Sequence, residues 1–180
     1  DGGWRGYTYQ TQFHEVFTLF AYGAALTNTL EFATGVLVLP QRETALVAKQ
    51  AAQIDVLSNG RLRLGVGVGW NSVEMSSVGY DFTNRGKRIE EQVEVLRLLW
   101  QNELVVYDGQ YHTLDDVGIN PLPVQRPIPV WFGGYADAVL RRMARMGDGW
   151  MPTNVALEDI QPLTDKIGRY LADNGRSFDD

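Results

Sequence analysis

The chain contains no cysteine. That excludes a disulfide framework and any thiolate-based metal centre, and it suits a reducing, cytoplasmic compartment. Histidine is nearly as scarce: His14 and His112 stand far apart and form no H-x-x-x-H pair, so no metal site is expected. No apolar run approaches the roughly 20 residues needed to cross a bilayer, and Asp1 to Gln10 shows no charged-then-apolar leader. Positive charge is also in deficit. The formal net charge is −6, which disfavours nonspecific binding to nucleic acid. The one small basic group, Arg85, Lys87 and Arg88, reads as a solvated helix start.

What is present suffices for one globular domain, taken as residues 1–180, since 44% of the chain is hydrophobic. Its organising stretch runs from Leu30 to Trp70. Leu30 to Leu39 is an almost continuous apolar run, as in a strand covered on both faces. Pro40 ends it, and Glu43 or Thr44 can cap a helix whose apolar positions Val47, Ala51, Ile54 and Leu57 recur every three or four residues. Ser58-Asn59-Gly60 supplies a left-handed stop, and Leu62 to Val68 is a second strand. Two strands joined through a helix run parallel, with a right-handed crossover.

Around this unit the pattern repeats. Asp1 to Tyr9 reads as a loop, and a helix spans about Phe13 to Leu26. Trp70 to Thr83 is an irregular connection. Asn84 can then cap a helix with Ile89, Val93, Leu96 and Trp100 inward. Leu104 to Tyr107 and Gln110 to Leu114 form a hairpin around Asp108-Gly109, a dipeptide that favours tight turns. Pro121, Pro123, Pro127 and Pro129 stiffen an extended connector. It leads to a third strand at Val130 to Gly134, a helix with Ala136, Val139, Leu140 and Met143 inward, a fourth strand at Trp150 to Thr153, and a last helix ending at Asn174-Gly175. Alternating strands and helices predict a parallel α/β fold. An open doubly wound sheet and a closed (β/α)8 barrel both fit this spacing.

Five segments carry a resemblance: Gln12 to Glu15, Thr34 to Arg42, Ala48 to Leu62, Leu64 to Trp70 and Val130 to Gly134. In this order they resemble the bacterial luciferase-like monooxygenase family, and within it the actinobacterial branch that uses a deazaflavin. The resemblance implies a TIM (β/α)8 barrel of the luciferase-like type, of which about strands 3 to 6 are present, so that the domain is expected to be incomplete at both ends. It also implies a cofactor, coenzyme F420 or FMN, and an oxidoreductase that performs hydride transfer or monooxygenation on a small organic substrate. A barrel left open exposes an apolar face, so a homo-oligomer, a dimer, is expected. A noncatalytic flavin-binding or assembly subunit that keeps the barrel framework is the competing reading, and an unrelated phosphate-binding barrel enzyme is a third.

In such a barrel the segments following the strands share one rim, here Gln12 to Glu15, Gln41 to Glu43, Trp70 to Glu74 and Tyr135 to Asp137. Thr27 to Thr29 and Asn59 to Arg61 fall on the opposite rim. The resemblance implies a cis peptide at Gly35-Val36 that backs a cofactor ring; an ordinary close-packed strand glycine is the alternative. Gly65, Gly67 and Gly69 on one strand face make room for a planar ring, or merely for tight packing. Val68, Gly69 and Trp70 complete that wall. Gly133, Gly134 and Tyr135 precede a helix, a natural phosphate seat, although Asp137 opposes an anion there unless it points away. His14 and Glu74 are the acid/base candidates; a structural histidine and a solvated carboxylate are the alternatives. His112 reads as structural.

Overall fold

The computed structural model describes residues 7–179, so Asp1 to Gly6 of the expected N-terminal loop lie outside it. The main sheet is parallel and contains β1 (Phe32–Ala33), β2 (Leu37–Val38), β3 (Leu62–Gly67), β6 (Val130–Gly133) and β7 (Gly149–Met151). β1 and β2 both pair with β3, which pairs with β6, which pairs with β7. Within this sheet the strands are laid down in chain order, with β1 and β2 both beside β3, without the reversal of order that marks a doubly wound sheet. This succession is a segment of a TIM barrel wall.

The first strand is broken rather than continuous. Phe32 is level with Leu62 and Leu37 with Val66, so five steps along this strand match four along β3. The surplus residue is a bulge at Thr34-Gly35-Val36, and the Gly35–Val36 peptide is cis. Pro40 sits in a 3-10 turn, Leu39–Gln41, that leads into α2 (Thr44–Ser58). Glu43 is the N-cap by position, but its side chain accepts from the Tyr80 hydroxyl rather than capping the helix. Asn59 at φ 58° and Gly60 at φ 79° end the helix as a left-handed stop.

The helical layer packs the same way. α1 (Val16–Leu26) contacts α2, α2 contacts α4 (Arg85–Gln101), and α5 (Asp137–Met146) contacts α6 (Leu157–Asp173). Ile89, Val93, Leu96 and Trp100 of α4 are fully buried, and the Trp100 indole donates to the Ala48 carbonyl at 3.0 Å, tying α4 to α2. On the rim where the strands begin, the Arg61 guanidinium donates to the Thr27 hydroxyl and carbonyl at 3.1 and 2.8 Å. The turns at Thr27 and Arg61 thus meet on the rim away from the site.

Several local expectations are corrected. The connection after β3 is not wholly irregular, because Ser72–Ser77 forms a short helix, α3, whose N-cap Asn71 accepts from the amides of Val73 and Glu74. Asn84 precedes α4 without capping it, and its Oδ1 is buried without a partner. Arg88 is buried, with its guanidinium stacked 4.1 Å from the Tyr80 ring, so the basic group is not simply a solvated helix start. Leu57 and Ala136 are exposed rather than inward. The hairpin pairs β4 (Val105–Asp108) with β5 (Thr113–Val117) across a four-residue loop instead of a two-residue turn. The proline connector contains two cis bonds, at Pro121 and Pro127.

Candidate functional site

Four rim segments converge on one cleft of about 970 Å³ at the carboxyl ends of the parallel strands. The ten residues proposed as catalytic or cofactor-binding all border it, namely His14, Gly35, Val36, Val68, Gly69, Trp70, Glu74, Gly133, Gly134 and Tyr135. Its lining extends beyond these ten. Tyr7, Thr34, Val38, Gln41, Arg42, Thr153 and Asn154 also line it. Of these, Gln41 and Arg42 lie on a rim segment expected from the sequence, and Asn154 left a readable trace, since asparagine tolerates the left-handed conformation it adopts at φ 56°.

The back wall is the strand bulge, and the neighbouring glycines exist to admit it. A Cβ on Gly65 would lie 1.9 Å from the Thr34 carbonyl oxygen, and the Thr34 hydroxyl donates to the Gly65 carbonyl at 2.6 Å. The Val36 methyls fill the space beside both Gly67 and Gly133, where a Cβ would come within 2.7 and 2.4 Å of them. Val38 does the same beside Gly69. The expectation that Gly65 and Gly67 leave an open slot for a ring is therefore corrected: their room is taken by the bulge, and Gly65 does not border the cleft. Gly35 is different. It is exposed, and a Cβ there would meet nothing nearer than the Met151 sulfur at 3.7 Å.

One end of the cleft is aromatic and acidic. Glu74, on the first turns of α3, accepts from Asn71 Nδ2 at 3.0 Å, from Gln41 Nε2 at 3.4 Å and from the Tyr7 hydroxyl. That hydrogen bond, burial and the nearby carboxylate raise the Tyr7 phenol above its ordinary value of 10.0, so it remains a donor. The Tyr7 ring packs edge-on against Phe13 at 5.1 Å and Trp70 at 5.9 Å. His14 is exposed and lies just ahead of Glu15, the N-cap of α1, rather than in the helix. Arg42 pairs with Glu15 at 3.6 Å.

The opposite end is the start of α5. No side chain caps this helix, so its first backbone N–H groups face outward at the positive end of the helix dipole. The approach to it is clamped from β7. The Gly134 amide donates to the Met151 carbonyl at 3.2 Å, and the Trp150 indole donates to the Gly134 carbonyl at 2.6 Å, with Gly134 at φ 118°. Asp137 is turned away onto α6. Hydrogen bonds from Lys166, Tyr170 and Arg141 hold its carboxyl well below the usual range, so its charge is engaged there.

His112 is not part of the cleft. Its Nδ1 meets Glu91 at 2.8 Å and its Nε2 meets the buried Thr44 hydroxyl at 2.6 Å, so it fastens the hairpin to α4 and α2. Among the described residues no group of three or more acidic or imidazole side chains is placed to hold a metal.

A bulged, cis-peptide strand thus stands at the back of the cleft in a parallel barrel segment. The sequence model of the luciferase-like monooxygenase family matches residues 1–180. The chain belongs to this family. An uncharacterised protein of Mycobacterium tuberculosis is 38% identical over 165 residues, covering 92% of this chain and 57% of that protein. An FMNH2-dependent dimethylsulfone monooxygenase of Pseudomonas putida is 31% identical over 168 residues, covering 91% and 46%. The chain thus spans about half the length of the curated relatives it matches. Among solved structures, an F420-dependent secondary alcohol dehydrogenase in complex with an F420-acetone adduct superimposes with a TM-score of 0.84 at 22% identity, covering 95% of this chain and 53% of that one. At that identity the likeness speaks for the luciferase-like barrel, with the sheet described above forming a continuous part of its wall.

Proposed function

We propose that this luciferase-like chain is the cofactor-holding part of a flavin- or deazaflavin-dependent oxidoreductase, using coenzyme F420 or FMN. One observation carries the reading: the Thr34–Val36 bulge, seated in the space beside Gly67 and Gly133, and the uncapped start of α5 line the same cleft. A planar ring needs a flat, dry backing, and a phosphate needs free backbone N–H groups at a helix start. The cleft offers both. Its volume also falls within the range of about 300–1,000 Å³ usual for small-molecule sites.

When bound, such a cofactor supplies two-electron chemistry, or oxygen activation in the flavin case. The chain supplies position. Val36, Val38 and Val68 would exclude water from one ring face, Gly35 would let the ring approach the backbone, and Tyr135 and Ala136 would offer N–H groups to phosphate. Glu74 accepts from three neutral donors, so it is placed to orient a hydrogen-bonding group rather than to release a proton. His14, exposed beside Phe13, is the candidate for moving a proton at the mouth of the cleft. Relatives that use reduced FMN or F420 support either cofactor. The full-length protein titrated with reduced FMN and with reduced F420, followed by absorbance and fluorescence, should bind one of them at micromolar concentration. Binding of neither would overturn the proposal.

A further inference from the structure

The two ends of the cleft have opposite polarity, and this bears on which substrates can enter. We propose that the Tyr7–Phe13–Trp70–Glu74 end is a selecting mouth that admits a neutral, apolar organic substrate and rejects carboxylates, sulfonates and phosphates. The proposal rests on the reading of the cleft as a redox site, and it names the substrate class that this site would take.

Three observations carry it. First, a carboxylate stands at the mouth. Glu74 is held by the Tyr7 hydroxyl and by the side-chain amides of Asn71 and Gln41, and none of these donors carries a charge that would cancel its own. No ion pair to Glu74 occurs among the described residues. Second, among the described residues the one arginine lining the cleft already faces a carboxylate, since Arg42 lies 3.6 Å from Glu15. An anion entering here meets repulsion, with no uncommitted cation among the described residues lining the cleft to offset it. Third, the rings beside Glu74 offer apolar surface to a guest: Phe13 is 72% exposed, Trp70 63% and Tyr7 37%. Aromatic rings set edge to face enclose an apolar guest well, and covering them removes apolar surface from water.

The Tyr7 hydroxyl adds direction. It donates to Glu74, and its oxygen, which has the Asn71 side chain close by, keeps a lone pair with which to accept from a hydroxyl or amine on the guest. The positive end of the cleft, at the start of α5, is where an anion is favoured, and on the present reading the cofactor phosphate takes that place.

The test uses the full-length protein at pH 8, where an ordinary imidazole is neutral, and three probes of one shape: cyclohexanol, cyclohexylammonium and cyclohexanecarboxylate. Calorimetry, with and without the cofactor, measures each affinity. Cyclohexanol should bind about tenfold or more tightly than cyclohexanecarboxylate, a ratio that corresponds to one factor of ten in the dissociation constant. Glu74→Gln should narrow that gap several-fold by improving the carboxylate. Trp70→Ala, at an exposed position, should weaken cyclohexanol several-fold. Equal or tighter binding of the carboxylate, an unchanged ratio in Glu74→Gln, or no binding of cyclohexanol would each overturn the proposal, as would cyclohexylammonium outcompeting cyclohexanol by tenfold. Cofactor titration is read separately. Loss of cofactor binding with the probe preferences intact would sink the redox reading alone.

Discussion

The cleft rim and the β4–β5 hairpin are each held by one glutamate that accepts three hydrogen bonds, yet the two are built differently. Glu91 takes the amides of Gln110 and Tyr111 at 2.8 and 2.7 Å and the His112 ring at 2.8 Å, all from one loop. Glu74 takes side chains from three separate segments, at residues 7, 41 and 71. The first arrangement closes a local structure against α4. The second draws distant rim loops together around open space. A carboxylate satisfied by nearby backbone amides serves the fold, whereas one satisfied by side chains of several loops shapes a site that a ligand can adjust.

The largest test of this contrast lies behind the cleft. Gly65→Ala puts a methyl 1.9 Å from the Thr34 carbonyl, a backbone atom that cannot step aside without moving the bulge. We expect about 3 kcal/mol of destabilisation and loss of cofactor binding, read by denaturant melts and by titration. The same exchange at Gly109 meets only the side chains of Tyr107 and Glu91. It should cost about 1 kcal/mol and leave the cofactor bound. Equal effects at the two sites would dissolve the distinction between a bulge-dependent cleft and an independent hairpin.

Next in size is Glu91→Gln. An amide has one acceptor oxygen, so it cannot receive the Gln110, Tyr111 and His112 donors together. Stability should fall by about 2 kcal/mol, with hydrogen exchange speeding in the loop at residues 109–112 while cofactor affinity stays within twofold.

These two glycines also show what the sequence could and could not tell. The glycine spacing from Gly65 to Gly69 marked a wall where something comes close, and Gly35 marked the irregular strand. That the close neighbour is the chain's own Val36 required the bulge, whose one-residue surplus no periodicity reveals. The convergence of His14, Glu74 and Gly134 was legible because parallel strands alternate with helices, which puts every post-strand segment on one rim. The α3 helix was missed because Ser72–Ser77 offers a single buried apolar residue, Met75, although Asn71 was available as a cap signal. The hairpin turn was misread for another reason. Asp108-Gly109 favours a tight turn locally, but Glu91, some 20 residues earlier, captures the loop amides and opens it to four residues. Tyr7 lay in a segment with no pattern at all.

A gentler probe separates ligand binding from stability within the cleft itself. Trp150→Phe keeps an aromatic ring on β7 but removes the 2.6 Å hydrogen bond to the Gly134 carbonyl. The Gly134 peptide is then held only by its amide bond to Met151, and the approach to α5 loosens. Cofactor affinity should drop about fivefold, equivalent to roughly 1 kcal/mol, with the melting midpoint little changed. A variant that unfolds but binds normally when folded would place Trp150 with the hairpin class of residue, in support of the fold alone.

The smallest effect is expected from acid. Burial pulls the Glu91 carboxyl upward, but the hydrogen bonds from His112, Tyr111 and Gln110 outweigh it and hold the group below its ordinary 4.5. A carboxyl lowered on folding contributes stability that is present above its unfolded value and is lost as pH falls through the folded one. The hairpin should therefore be at full strength above pH 4.5 and weaken progressively below it. Melting midpoints of the native protein and of Glu91→Gln, measured downward from pH 6, should begin to draw together as the native carboxyl protonates, because the variant has no carboxylate to lose. Parallel curves, still separated well below pH 4.5, would mean that the hydrogen bonds to Glu91 do not depend on its charge, and the contrast drawn between the two glutamates would then rest on geometry alone.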